Sequence, residues 1–331
     1  MKYTFSYSKP HQHFIDIEYT IDNINSETIE LQLPAWRPGR YELGDFAKNI
    51  QQWSAYGQNN SALSFKKITK DKWLVDTGGN SEITIRYNYY SNELNAGSTY
   101  LDENQVYVNP INCCLYIEDR QDEPCEVILK TPKNYIVASG LEKIDEHHFK
   151  SKDFHTLVDS PLISSESIHH HVFNTKGVKF HVWMQGDCSP DWDRIETDFI
   201  KYSDLQIDIF GGFPVNEYHY LFQILPHKGY HGVEHQNSTT VSIGPGKDLM
   251  TKKLYDEVLG VSSHELFHTW NIKAIRPIEM QPYNYAKENH SPLGYVAEGV
   301  TTYYGDLMLY RSGVFSEVEF LKLFAQQIQK H

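Results

Sequence analysis

Between Val261 and Trp270 the chain reads Val-Ser-Ser-His264-Glu265-Leu-Phe-His268-Thr-Trp, and His-Glu-x-x-His is the shortest sequence that can build a hydrolytic zinc site on one helix. At 3.6 residues per turn His264 and His268 share a face, so both imidazoles can reach one ion. Glu265 projects about 100° around the helix from His264. It is badly placed as a third ligand and well placed to touch a metal-bound water.

The elements that must position these groups can be read around them. Leu254, Val258 and Val261 recur at i, i+4 and i+7, the pattern of an amphipathic helix running into the motif. Pro277 sets the latest point at which that helix can end. A catalytic zinc takes three protein ligands and leaves a fourth position for water, so one more donor should come from another element. Glu298 supplies it: Val296, Val300, Tyr303, Leu307 and Tyr310 mark a second helix with Glu298 near its start, a carboxylate flanked by apolar residues. The competing reading, a surface Glu on an amphipathic helix, loses ground once the first helix is in place.

A rival zinc pattern, His231-Gly-Val-Glu234-His235, fits His-x-x-Glu-His and would need a helix to bring its histidines together. Gly229 and Gly232 with the β-branched run after Gln236 predict instead a loop feeding an extended edge. On a strand His231 and His235 stand roughly 13 Å apart, too far to share an ion.

Together these residues resemble a known family. His264-Glu-Leu-Phe-His-Thr-Trp-Asn-Ile-Lys-Ala-Ile-Arg-Pro277, followed by Ala297-Glu298-Gly299 and Tyr303-Tyr304, is similar to the PDZ-containing glycyl aminopeptidases, thermolysin-related gluzincin zinc peptidases whose third ligand is a Glu. The likeness extends to Leu31-Gln-Leu-Pro-Ala-Trp36-Arg-Pro-Gly39-Arg-Tyr41, similar to a turn in the family's leading β domain. In related aminopeptidases an extended Gly- and Glu-containing segment runs beside the substrate, and its Glu grips the free α-ammonium group. Gly232-Val-Glu234-His235 looks like that element, which would let Glu234 measure off one residue and reject blocked N-termini. The resemblance also implies a preference for small first residues such as Gly or Ala, and further helices and a PDZ domain beyond His331. In thermolysin-like sites a carboxylate four residues after the third ligand can orient a zinc histidine. Here that residue is Thr302, and Asp306 one turn further is the substitute candidate.

Composition narrows the partners. With 43 acidic against 30 basic residues the formal charge is −13, which disfavours nucleic acid and anionic membrane. No apolar run approaches the roughly 20 residues of a membrane span, and the first residues lack the apolar core of a signal peptide, so a cytoplasmic location is expected. Cys113, Cys114, Cys125 and Cys188 form no Cys-x-x-Cys pair and read as buried thiols. His169, His170 and His171 alternate faces on a strand and suggest a polar interdomain junction rather than a metal site.

The expected organisation is α+β. Residues 1–173 read as short alternating strands of a β-sandwich domain, and residues 174–331 as a thermolysin-like catalytic domain, incomplete in its C-terminal helical part. In the second part Val178–Trp183 and Tyr218–Ile224 read as strands and Pro190 opens a helix at its first turn. Ser316-Glu-Val-Glu319 forms a capping box before a helix whose apolar face carries Phe320, Leu321, Phe324 and Ile328.

The function expected from these residues is hydrolysis of the first peptide bond of peptides with free N-termini. His264, His268 and Glu298 would bind one Zn²⁺ per chain and lower the pKa of its water towards about 7, and Glu265 would act as general base. Trp270, Tyr303 and Tyr304 are candidate pocket walls, although aromatic residues at helical spacing more often pack a core. A zinc-stabilised peptide-binding module without catalysis and a zinc endopeptidase are the alternatives. Peptide binding without hydrolysis would mark the first, and cleavage of N-blocked substrates the second.

Overall fold

A computed structural model describes residues 1–40 and 42–330; Tyr41, at the end of the N-terminal turn motif, and His331 lie outside the described residues. The chain divides into two compact units. The first comprises Met1–Leu94, Ser98–Glu166 and Tyr283–Asn289, the second Asn95–Gly97, Ser167–Pro282 and His290–His331.

The first unit is β-rich. Its seven-stranded sheet runs, in spatial order, Glu142–Asp145, His148–Ser151, Cys125–Leu129, Lys2–Ser6, Phe14–Ile21, Ile83–Tyr90 and Ile50–Tyr56. Phe14–Ile21 and Ile83–Tyr90 show the cause in their sequences: buried and less buried residues alternate, so each strand has one face for the core. Among the described residues, four- and three-stranded sheets complete the unit, in keeping with the β-rich N-terminal part expected from the strand pattern. Cys113, Cys114 and Cys125 are buried and Cys188, in the second unit, is half-buried; all four are free thiols.

The family-like turn lies in this first unit. The backbone N–H groups of Ala35 and Trp36 donate to the Tyr285 carbonyl at 2.8 and 3.1 Å, and the Trp36 ring packs against Tyr283. A segment far along the chain thus completes the first unit, which periodicity could not reveal.

The second unit is built on five strands, β1 (His169–Thr175), β2 (Val178–Gln185), β3 (Glu217–Ile224), β4 (Gly229–Glu234) and β5 (Ser238–Gly244), in the order β1-β2-β3-β5-β4. Because β1 pairs with β2, the division falls after Glu166, several residues before the boundary expected at 173. The parallel pair β2 and β3 needs a crossover, supplied by α1 (Trp192–Phe210). Pro190 lies just before that helix rather than in its first turn. Asp191 is the N-cap, its side chain accepting from Arg194 N–H, and Gly211 closes the helix in the left-handed region at φ 74°.

On the helix side of the sheet, Phe180, Val182, Tyr218, Tyr220, Phe222 and Val241 pack against Ile195 and Phe199 of α1 and Val258, Leu259 and Leu266 of α2 (Lys252–His268). Each such apolar side chain contributes about 1.5–3 kcal/mol when fully buried. That core is what holds α2 in place under the sheet. A π-helical turn, Tyr295–Val300, then leads into α3 (Thr301–Arg311), and α4 (Glu317–Lys330) follows. The capping box of α4 is present: Ser316 N–H donates to Glu319 Oε2 at 2.7 Å and Glu319 N–H to Ser316 Oγ at 3.3 Å. Its Leu321, Phe324 and Ile328 are exposed. Among the described residues no helix is long and apolar enough to cross a membrane.

Candidate active site

Helix α2 ends at His268, well short of the limit set by Pro277, because the chain folds into a turn in which Ile272 and Lys273 N–H both donate to the His268 carbonyl. That turn presents the Asn271 carbonyl to His268 Nδ1 at 2.8 Å. The imidazole then carries its proton on Nδ1 and turns the lone pair of Nε2 into the site. Asn271 is itself held from α3: its side-chain amide donates to the Val296 carbonyl and to Thr301 Oγ1 at 2.8 and 3.0 Å.

Glu298 sits in the π-helical turn, its carboxylate half-exposed, and reaches both histidines. Its Oε2 lies 3.8 Å from His264 Nε2 and 3.7 Å from His268 Nε2, and the two Nε2 atoms are 3.0 Å apart. These three edges enclose a point about 2.1 Å from each donor, within the range of zinc bonds to histidine nitrogen and carboxylate oxygen. Burial, and next the neighbouring His268, push His264 down to about 3 despite an opposing pull from Glu234, so the His264 nitrogen is unprotonated near neutrality. Two imidazole nitrogens and a carboxylate converging on one point fit a divalent cation.

The general-base candidate has the right surroundings. Glu265 is buried, and its Oε2 has no hydrogen-bond partner, an orphaned acceptor beside the ligand triad. Burial, followed by the carboxylates of Glu234 and Glu298, raises its pKa well above the usual carboxylate range, while Lys273 opposes the shift. A raised pKa is what an acid needs to take a proton from water and hand it on. Glu234 is also buried, yet its carboxyl is held below its ordinary value: burial works against ionisation, and His268 and Lys273 outweigh it.

Donor atoms of Glu234, Glu265 and His268 all lie within 4.8 Å of one another. Edge strand β4 brings Glu234 there, pairing with β5 through Glu234 and Thr239. Gly232 is required by close approach: a Cβ at that position would meet Glu265 Oε1 at 2.0 Å. His235 lies buried just past the strand, its N–H donating to the Ser238 carbonyl at 2.9 Å.

Some expected roles change. Asp306 does not orient a zinc histidine; Gln327 of α4 donates to its Oδ2 at 2.7 Å, and the orienting acceptor is the Asn271 carbonyl. Trp270 is a core residue, stacked on Phe210 and donating to the Gly212 carbonyl at 3.0 Å. Tyr304 stacks on Phe267, while Tyr303 is exposed and packs edge-on against Phe324. The buried face of the Glu298 helix is Ala297, Thr301, Gly305, Met308 and Leu309 rather than the larger stripe expected from periodicity. Small residues there let α3 approach α2: a Cβ on Gly305 would stand 3.0 Å from His264 Cα, and Ser263 Oγ donates to the Gly305 carbonyl at 2.8 Å.

A second cluster, His181, Glu217 and His219, also gathers metal-binding atoms. It is better described as a hydrogen-bonded chain. His170 Nε2 meets His181 Nδ1 at 2.8 Å, His181 Nε2 meets Glu217 Oε1 at 2.5 Å, and Trp183 Nε1 donates to His219 Nδ1 at 3.2 Å. The His181 and His219 rings are stacked within 7° of parallel at 4.5 Å, so their in-plane lone pairs cannot both aim at one ion. His170 thus belongs to a histidine array, and His171 bonds Glu196 at 2.6 Å.

The fold is that of the zinc metallopeptidases. An M1 zinc metallopeptidase from Deinococcus radiodurans superposes with a TM-score of 0.54 at 14% identity, over 98% of this chain and 73% of that one; a mutant of an M1 zinc metallopeptidase from the same organism, bound to a Tyr-Ser-Ala substrate, gives the same values. Residues 2–166 match the Peptidase M61 N-terminal domain and residues 257–331 match M61 glycyl aminopeptidase, so the chain carries domains of peptidase family M61. A protein from Idiomarina loihiensis described as an aminopeptidase N family protein is 31% identical, with a TM-score of 0.90 over 97% of this chain. The chain spans 56% of that protein's length. Among curated proteins none matches the chain.

Proposed function

We propose that this chain carries the metal-binding and amine-recognition part of a cytoplasmic zinc aminopeptidase of the gluzincin, thermolysin-like kind. It would remove small first residues, Gly or Ala, from peptides with free N-termini, using one zinc per chain. The observation that carries this reading is the convergence of His264, His268 and Glu298 on one point at zinc distances, with Glu265 and Glu234 beside it.

Bound zinc would supply Lewis-acid chemistry, polarising the scissile carbonyl and acidifying water. Glu265 accepts the proton of the attacking water and returns it to the departing amine, a shuttle favoured by its raised pKa. Glu234, whose carboxyl stays below its ordinary value despite burial, with Lys273 among the favourable charges, holds the substrate ammonium through a charge-assisted hydrogen bond. Gly232 leaves the Glu265 carboxylate its space, and His235 anchors the end of the strand that carries Glu234.

Two substitutions separate the roles. Glu265→Gln should keep stoichiometric zinc by metal analysis while turnover falls by roughly 10²–10⁴-fold. Glu298→Ala should lose the metal. Turnover retained in Glu265→Gln would remove Glu265 from the mechanism.

A further inference from the structure

Glu298 stands in the π-helical turn Tyr295–Val300, and packing does little to hold that turn: of its six residues only Ala297 is buried. In an α-helix the Val296 and Ala297 carbonyls would accept from the N–H groups of Val300 and Thr301, four residues on. Here Thr301 N–H donates to the Glu298 carbonyl, and side chains serve the other two. Asn271 Nδ2 donates to the Val296 carbonyl at 2.8 Å, and Thr301 Oγ1 to the Ala297 carbonyl at 2.6 Å. The two side chains are also joined, Asn271 Nδ2 donating to Thr301 Oγ1 at 3.0 Å. Thr301 is fully buried, which makes these bonds costly to lose.

Asn271 works in two directions. Its backbone carbonyl accepts from His268 Nδ1 at 2.8 Å, while its side chain grips the backbone two residues before Glu298. Helix α3 is fastened to α2 independently, by Ser263 Oγ donating to the Gly305 carbonyl at 2.8 Å and by the buried Met308 and Leu309. The Asn271 and Thr301 side chains therefore govern the turn rather than the helix that follows it. We propose that they form a latch, two positioning residues that keep the turn in its π winding and so keep Glu298 aimed at His264 and His268. A π turn closes its hydrogen bonds one residue further on than an α turn, so rewinding to α carries Glu298 around the helix axis and away from the histidines. This rests on the zinc reading above.

The test takes the zinc-free full-length protein and titrates it with zinc against a chelator, and with Co²⁺ followed by visible absorption. Asn271→Ala keeps the carbonyl that orients His268 and removes only the amide, and Thr301→Val keeps the shape and removes the hydroxyl. Each should weaken zinc about tenfold to a hundredfold. Each should also change the absorption at saturating Co²⁺, because the ion loses a well-placed carboxylate. Thr301→Ser, which restores the hydroxyl, should recover both affinity and spectrum. Where Asn271→Ala does not fold, Thr301→Val, of similar volume, decides. Unaltered zinc affinity in a folded variant would overturn the latch, as would a lowered urea midpoint with the saturated cobalt spectrum unchanged. Failure of the unaltered protein to bind zinc would instead overturn the zinc aminopeptidase reading.

Discussion

His268 is oriented through its far nitrogen, and that contact marks the limit of what residue types disclose. The spacing of His264, Glu265 and His268 announced a zinc helix, and a carboxylate among apolar residues singled out Glu298; the four converge in space. The group that aims His268 is a backbone carbonyl, that of Asn271, and a carbonyl belongs to every residue type, so no letter in the sequence could mark it. The same holds for Asp306, whose spacing suggested an orienting role but whose carboxyl is bonded by Gln327. For Glu234 the residue-scale prediction concerns discrimination. A buried, ionised carboxylate beside the site should favour free over acetylated N-termini, and Glu234→Ala should lose about tenfold to a hundredfold in kcat/KM on free peptides while sparing blocked ones. Equal losses on both substrates would count against the ammonium contact.

At the scale of elements, the site depends on how closely α3 crosses α2. Periodicity located the Glu298 helix but chose the wrong face, because it weighs apolar bulk, and here the contact is made by Ala297, Thr301 and Gly305. Gly305 faces the backbone of His264 itself, with 3.0 Å available to a Cβ. Gly305→Ala should gain about 1 kcal/mol in helix propensity and lose about 1–3 kcal/mol to overpacking, leaving the protein less stable. By shifting Glu298 relative to His264 it should also weaken zinc about tenfold. Urea midpoints and a chelator competition read the two effects separately, and unchanged zinc affinity would mean that the crossing does not set the ligand geometry.

At the scale of the molecule, strands first and helices afterwards were legible from alternation and turn residues, whereas long-range returns of the chain were not. Tyr283–Asn289 belongs to the first unit through contacts such as Tyr285 with Ala35, and no local pattern encodes a pairing across so many residues. The second unit also carries an acid-sensitive element. Burial, with His181 and Lys179 nearby and Glu217 opposing, pushes His219 down to about 3. The unfolded chain takes up that proton near 6.5 and the folded chain only near 3, so stability from the neutral ring is full above pH 6.5 and declines progressively as pH falls towards 3. Thermal midpoints of a His219→Gln variant should fall less steeply than those of the unaltered protein between pH 6.5 and 4; parallel profiles would contradict this. The central claim is that a zinc site and an ammonium anchor together select the first peptide bond. Mass-spectrometric product analysis of the zinc-loaded full-length protein, given one Gly-initiated peptide in free and acetylated forms, tests it most directly. The account predicts release of the first residue from the free peptide and an intact acetylated one; internal cleavage, or hydrolysis of both alike, would contradict it.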